Sequence, residues 1–480
     1  MGQEICDLEP KKVFGFFNEL TKIPRGSGNE KAVSDFLIDF ADKRGLIAYR
    51  DDLLNVTILK PATGGMEDRE TVILQAHMDM VCVAEDGADV DPEKDPIQAY
   101  VDGDFITAKK TSLGADDGIG IALILAVLDS DDIQHPMLEA VFTADEEVGL
   151  AGAVGYDISR IKGKRFINID TEEENHIVVG CAGGCRCDVS TKCKNGKVEG
   201  NIYEIGISGL TGGHSGTEIH KASANANVLM GRLLSLAASN VEIAIGSYEG
   251  GVKDNAITTS ASATVVVKKK HGKTFEKLIK SFCESILTEY GKTDPDFVIK
   301  CKDKGKGKLD TMSYKDMNKF IALLNVIPNG VAKKSQTIDL VETSSNIGIV
   351  TARPKSFSIT TSLRSNKEAS LEWMIYKIRM LAYAFKVDFS CRGRYPAWES
   401  SGVSDFAKSA QQLYRRMFDA ETEIITLHAG LECAVFAQKI KGIDAISIGP
   451  DMWDVHTANE KLSISSTRRM WKFLVELLKL

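Results

Sequence analysis

Three short apolar runs, Thr71–Ala76, Leu138–Thr143 and Arg165–Ile169, read as buried strands, and each is followed within a few residues by a histidine or a carboxylate. Between the first two lies an apolar stretch, Ile119–Leu128, with the character of a core helix. Strands alternating with helices demand a largely parallel sheet covered on both faces. Such sheets place their ligands at the carboxyl ends of the strands, where these polar residues fall.

The rest of the chain sorts around this pattern. Helical spacing over Glu4–Leu20 and Glu30–Arg44 is broken by the loop Pro24-Arg25-Gly26-Ser27-Gly28. The character changes near Cys185, with alternating strands at Tyr203–Ser208 and Ala261–Val267 and helices at Ala222–Ser239 and Leu371–Phe385. After Trp398 the first pattern resumes, with helices at Asp405–Phe418 and Leu431–Gln438, strands at Glu423–Leu427 and Ala445–Ile448, and an amphipathic helix after Ser465. The expected fold is α/β, a mixed and largely parallel sheet sandwiched by helices, interrupted by an inserted α+β lid domain. Residues 1–184 and 397–480 form the first domain and 185–396 the insertion. Two or three domains is also the loose prior for 480 residues.

A formal charge of −8 offers no global basic field for nucleic acid or an anionic membrane. The lysine-rich stretches Lys268–Lys273 and Lys300–Lys308 read as solvated loops. The opening MGQEICDLEPKK lacks the features of a signal peptide or myristoylation site, and no run of about 18 apolar residues exists to span a bilayer. The expectation is a cytoplasmic protein without membrane or nucleic-acid partners. Ten cysteines are too sparse for a disulfide scaffold, and Cys181, Cys185, Cys187 and Cys193 fit no standard zinc knuckle, so they are expected to be reduced and strand-borne.

Five motifs carry chemistry. His77-Met78-Asp79 ends a strand, and alternation places His77 and Asp79 on one face, where the carboxylate can orient the imidazole toward a metal. Gly114-Ala115-Asp116-Asp117-Gly118 precedes the apolar helix; one aspartate can cap it, leaving the other for a bridging ligand role. Asp145-Glu146-Glu147 follows a buried strand, and three adjacent acids raise one another's pKa unless a cation compensates. One glutamate can then bind metal while the other faces the substrate's water. Asp170 and the segment Asp454-Val455-His456-Thr457 complete the set. Nitrogen and oxygen donors without thiolate suit a catalytic zinc pair, with manganese or cobalt as alternative occupants.

With these motifs the chain resembles the co-catalytic zinc exopeptidase superfamily, and within it the aminoacyl-histidine dipeptidases. The likeness extends to Gly212-Gly213-His214-Ser215-Gly216, Ile219-His220-Lys221, Ala224-Asn225-Ala226-Asn227 and His428-Ala429-Gly430-Leu431-Glu432-Cys433. It implies that His77 and Asp170 hold one zinc, Glu147 and His456 the other, and Asp116, which aligns with the family's Asp-x-x-x-Gly turn, bridges them. It further implies Glu146 as general base and Asp79 as the acid that orients His77. His214, Asn255 and Arg364, with Gly430, match positions around the substrate's carbonyl and carboxylate. Thr258-Thr259 after Ala256-Ile257 and Ala434 after Cys433 depart from the common pattern, close to where the resemblance puts the peptide.

The implied activity is hydrolysis of dipeptides, of the Xaa-His type and over a broad range, by water activated between two Zn2+ ions. The alternative is a related amidohydrolase, such as an N-acyl-amino-acid deacylase or carboxypeptidase, with the same metal set. The resemblance also suggests a homodimer formed through the inserted domain. No Gly-x-Ser-x-Gly, Walker A or dinucleotide fingerprint is present.

Overall fold

The runs VILQAH (Val72–His77) and LEAVFT (Leu138–Thr143) are buried along their whole length, which is how a strand behaves when both faces of its sheet are covered. The computed structural model describes residues 4–335, 340–399 and 402–480. It divides into two compact units, Met1–Cys181 with Trp398–Leu480, and Ala182–Ala397. Where the chain leaves and re-enters the first unit, Cys181 and Trp398 pair as an isolated antiparallel bridge.

The first unit holds an eight-stranded sheet, in the order Ile47–Arg50, Val56–Lys60, Leu138–Thr143, Val72–His77, Arg165–Asn168, Asp444–Ser447, His176–Cys181, Glu423–Leu427. The four strands from Leu138–Thr143 to Asp444–Ser447 run parallel, and the first two are joined antiparallel at one edge. The mixed, largely parallel sheet is therefore present. The Ala115–Leu128 helix is buried at every position, the signature of a helix enclosed in the core. On the amino-terminal side, the expected Glu4–Leu20 helix is split. Pro10, which has no N–H to donate, separates a 3-10 turn at Ile5–Asp7 from the helix Lys11–Leu20. That helix buries Val13, Phe14, Phe17 and Leu20 as one stripe.

The second unit is built on a nine-stranded sheet with helices Ala226–Asn240, Gly272–Tyr290, Tyr314–Val326 and Glu368–Phe385. One expectation fails here: Lys300–Lys308 is not a loop but part of the strand Val298–Met312, paired antiparallel with Asn195–Ser208. It is an edge strand, and its lysines stay solvated while the backbone pairs on one side only. A charged edge also resists pairing with other chains. Lys268–Lys273 likewise contributes a 3-10 turn and the start of the Gly272–Tyr290 helix. Among the described residues no helix is long and apolar enough to cross a membrane.

Candidate metal centre

Because four neighbouring strands are parallel and in register, their carboxyl ends open on the same edge of the sheet. His77 ends Val72–His77, Asp145-Glu146-Glu147 follows Leu138–Thr143, Asp170 follows Arg165–Asn168, and the segment after Asp444–Ser447 leads to His456. Asp116 arrives from the start of the Ala115–Leu128 helix.

The two oxygens of Asp116 face different histidines. Oδ1 lies 2.9 Å from His77 Nε2, and Oδ2 lies 3.0 Å from His456 Nε2. Around the first gather His77, Asp116 and Asp170, with His77 Nε2 3.6 Å from Asp170 Oδ1; around the second gather Asp116, Glu147 and His456, with His456 Nε2 2.8 Å from Glu147 Oε1. Glu146 joins His77 and Glu147 in a third grouping on the same space. One carboxylate shared by two donor clusters of imidazole and carboxylate is a donor set that fits a pair of divalent cations and contains no thiolate.

Asp117, its neighbour, is spent on the backbone: Oδ2 accepts from His77 N (3.2 Å) and Oδ1 from Gly120 N (3.1 Å). The flanking glycines follow from close approach. Gly114 has φ +69°, and a Cβ at Gly120 would stand 2.2 Å from Asp117 Oδ1. The Asp116–Asp117 peptide is cis.

Asp79 is fully buried and serves two strands. Its carboxylate accepts from the backbone N–H of Glu146 (2.9 Å) and Glu147 (3.2 Å) and from Ser27 Oγ (2.8 Å). The expected bond from His77 Nδ1 goes chiefly to the Asp79 backbone oxygen at 3.1 Å, with Oδ1 at 3.4 Å. Asp145, at φ +51°, turns the chain so that both amides face Asp79, and His456 itself sits at φ +62°. Non-glycine residues held there mark a backbone constrained by its surroundings.

The charges are coupled. Burial would lower the His77 imidazole, but Asp116 and Asp170 raise it well above the usual histidine range; by the same balance with Asp116 and Glu147, His456 is raised to about 11. Burial acts to raise Asp116, yet its bonds to both imidazoles hold it far below the ordinary carboxylate range. For Glu146 burial outweighs the lowering by His77, and Glu147, Asp170 and Glu432 add to it, so its carboxyl is pushed well upward. Burial also raises Glu147 and Asp170. The upward shifts among these are ones that divalent cations at the same donors would oppose.

Three further residues, none assigned a role from the sequence, hold this geometry. Glu460 is almost fully buried and accepts from the backbone N–H of Leu113 (2.6 Å), Gly114 (2.9 Å), Ala115 (2.7 Å) and Asp116 (3.4 Å). Arg25, also buried, donates through Nη1 to the carbonyls of Met78 (2.8 Å) and Asp79 (2.9 Å) and through Nη2 to that of Gly114. Glu432 accepts from Gln75 Nε2 (2.5 Å) and Thr143 Oγ1 (2.5 Å), its carboxyl pushed by burial to about 8. Asn168 Nδ2 donates to Gln75 Oε1 (2.7 Å), so a polar ladder crosses the sheet beneath the donors.

In the second unit, His214, Asn255 and Arg364 are brought together. Ser215 N donates to Asn255 O (2.8 Å), His214 bridges to Ala256, and Arg364 Nη2 lies 3.2 Å from His214 Nε2. Arg364 is buried; Nη1 donates to Tyr395 Oη (2.9 Å), and Nε has no partner among the described residues. Gly430 lies in the first unit, in the loop between Glu423–Leu427 and the helix Cys433–Lys439.

Residues 73–480 match Peptidase family M20/M25/M40. The chain is 33% identical over 479 residues to the cytosol non-specific dipeptidase of Escherichia coli strain K12, covering 99% of each. The crystal structure of aminoacylhistidine dipeptidase from Vibrio alginolyticus superposes with a TM-score of 0.85 at 34% identity, over 99% of this chain and 98% of that one. Aminopeptidase PepT from Bacillus cereus shares the fold, with a TM-score of 0.56 at 16% identity over 98% of both chains.

Proposed function

The chain belongs to peptidase family M20/M25/M40 and is a dipeptidase, and on that premise we propose that two zinc ions, with manganese or cobalt as substitutes, serve its hydrolysis of Xaa-His and other dipeptides. The observation that carries this reading is the Asp116 carboxylate with one oxygen toward His77 and Asp170 and the other toward His456 and Glu147. A metal pair so held supplies Lewis acidity toward water and the peptide carbonyl.

In this proposal His77 and Asp170 hold one ion, Glu147 and His456 the other, and Asp116 spans both. Glu146 takes the proton of the attacking water on a carboxylate oxygen and delivers it to the leaving nitrogen. Asp79 keeps Glu146 and Glu147 in place through their amides and fixes the His77 ring. In residues 185–396, proposed as the lid and substrate-binding domain of a catalytic domain at 1–184 and 397–480, Arg364 binds the free carboxylate of the dipeptide. His214 and Asn255 bind its carbonyl, and Gly430 is proposed as a further substrate-binding residue. Arg364 supports its role by being buried with an unused Nε donor.

A panel of β-alanyl-histidine, α-dipeptides, a tripeptide and an N-acetyl amino acid, assayed before and after chelation, tests this. The expected result is cleavage confined to the dipeptides, abolished by the chelator and restored by zinc. Cleavage of the acetylated compound alone assigns the deacylase reading instead.

The E. coli relative is named as a cytosolic enzyme, which supports a cytoplasmic location here. An exposed row on the Glu368–Phe385 helix, Trp373, Tyr376, Met380 and Tyr383, supports pairing of two copies through the second unit. Sedimentation of the purified chain at the mass of two copies is expected, and the mass of one overturns it.

A further inference from the structure

Cys185 and Cys187 lie two apart on the strand Gly183–Lys192, so their side chains share one face, the buried face that packs on the Glu368–Phe385 helix. The neighbouring strand Asp388–Tyr395 runs antiparallel to it and sets Cys391 directly opposite Cys187. The three sulfurs converge: Cys185, Cys187 and Cys391 all lie within 4.8 Å of one another. All three are free thiols. They form a cluster distinct from the histidine and carboxylate donors, and dipeptide hydrolysis uses none of them.

Three features suit this cluster to a ligand. First, Asp388–Tyr395 is the last strand of its sheet and Cys391 is exposed, so the buried pair is reached from solvent through the third sulfur. Second, no fourth histidine, cysteine, aspartate or glutamate joins the group among the described residues. Structural zinc asks for four ligands, whereas soft cations of the cuprous type select thiolates. Third, Arg394 is close enough to favour the thiolate forms of both Cys185 and Cys391, offsetting part of the negative charge three thiolates would bring. Glu368 and Glu372 of the packed helix hold that guanidinium in place.

We propose that Cys185, Cys187 and Cys391 form a three-sulfur site for one soft monovalent cation of the cuprous class. In a trigonal arrangement with metal–sulfur bonds of ~2.3 Å, sulfurs stand about 4 Å apart, so these need to close by less than about 1 Å. Each sulfur gives up its proton to solvent as it binds, and no electron changes hands. The neighbouring Cys187 thiol and burial hold Cys185 far above the usual range, and burial pushes Cys391 to about 11, so without a thiophilic ion these two thiols stay protonated.

The test uses the holoenzyme with its own metals in place, reduced by ascorbate under anaerobic conditions, and Cu(I) titrated against the competing chelator bicinchoninate. The unaltered chain is expected to retain one tight equivalent of Cu(I) and to keep its dipeptidase turnover. Cys391→Ser, at an exposed edge position that tolerates the change, loses that equivalent. Cys283→Ser, on the Gly272–Tyr290 helix and outside the cluster, keeps it. In the unaltered chain, bound Cu(I) also protects Cys391 from iodoacetamide. The proposal is overturned if Cys391→Ser retains the same equivalent or if the unaltered chain retains none.

Discussion

Glu146→Gln is expected to keep the full metal content of the enzyme while kcat falls by about 10³-fold, some 4 kcal/mol of transition-state stabilisation. The amide has the shape of the carboxyl but cannot take a proton from water and hand it to an amine. Asp116, Asp170, Glu147 and both histidines are untouched, and the Glu146 backbone N–H still donates to Asp79. Measuring bound zinc and single-turnover hydrolysis on one preparation separates the possibilities. Near-normal turnover removes Glu146 from proton transfer. Loss of a metal equivalent makes it a ligand, which its grouping with His77 and Glu147 leaves as the competing geometry.

Glu460→Ala is expected to cost roughly 3–5 kcal/mol of stability, the range for removing one member of a buried charged network. The glutamate is 2% exposed and accepts four backbone N–H groups in a row. Deleting it leaves those donors buried without a partner and leaves Arg25 without its largest opposing charge. Since the same amides set the turn that presents Asp116, metal content should fall together with stability. Glu460→Gln, which keeps one accepting oxygen, should fall between the two. Thermal unfolding read alongside metal analysis checks this, and an alanine variant that melts like the unaltered chain shows that water replaces the carboxylate there.

These two residues illustrate what the sequence made legible. Glu146 stands in a run of acids directly after an apolar strand, a local signal. The strand Leu138–Thr143 and the helix Asp405–Phe418 could be read to the residue from their apolar spacing. The choice between Asp116 and Asp117 was different. Both adjoin the helix start, and only the structure shows Asp117 consumed by the amides of His77 and Gly120. Glu460 reaches Leu113 across 347 positions, and Arg25 reaches Gly114 across 89, so no local pattern marks either. The cysteine cluster repeats the lesson: Cys181 and Cys193 are near in sequence to Cys185 and Cys187, but the third sulfur comes from Cys391. Lys300–Lys308 misleads for the opposite reason, since its polarity is that of a loop while its pairing is that of an edge strand.

The strand Asp444–Ser447 lies inside the first sheet, between Arg165–Asn168 and His176–Cys181, although more than 260 residues separate it from them in the order of synthesis. Residues 182–397 are contiguous and are made before that strand. The first unit's sheet keeps a gap in its middle until Asp444–Ser447 is made, and His456 follows later still. A chain halted before Asp444 therefore holds neither that middle strand nor His456, and the donor cluster on the Oδ2 side of Asp116 stays incomplete until both are made.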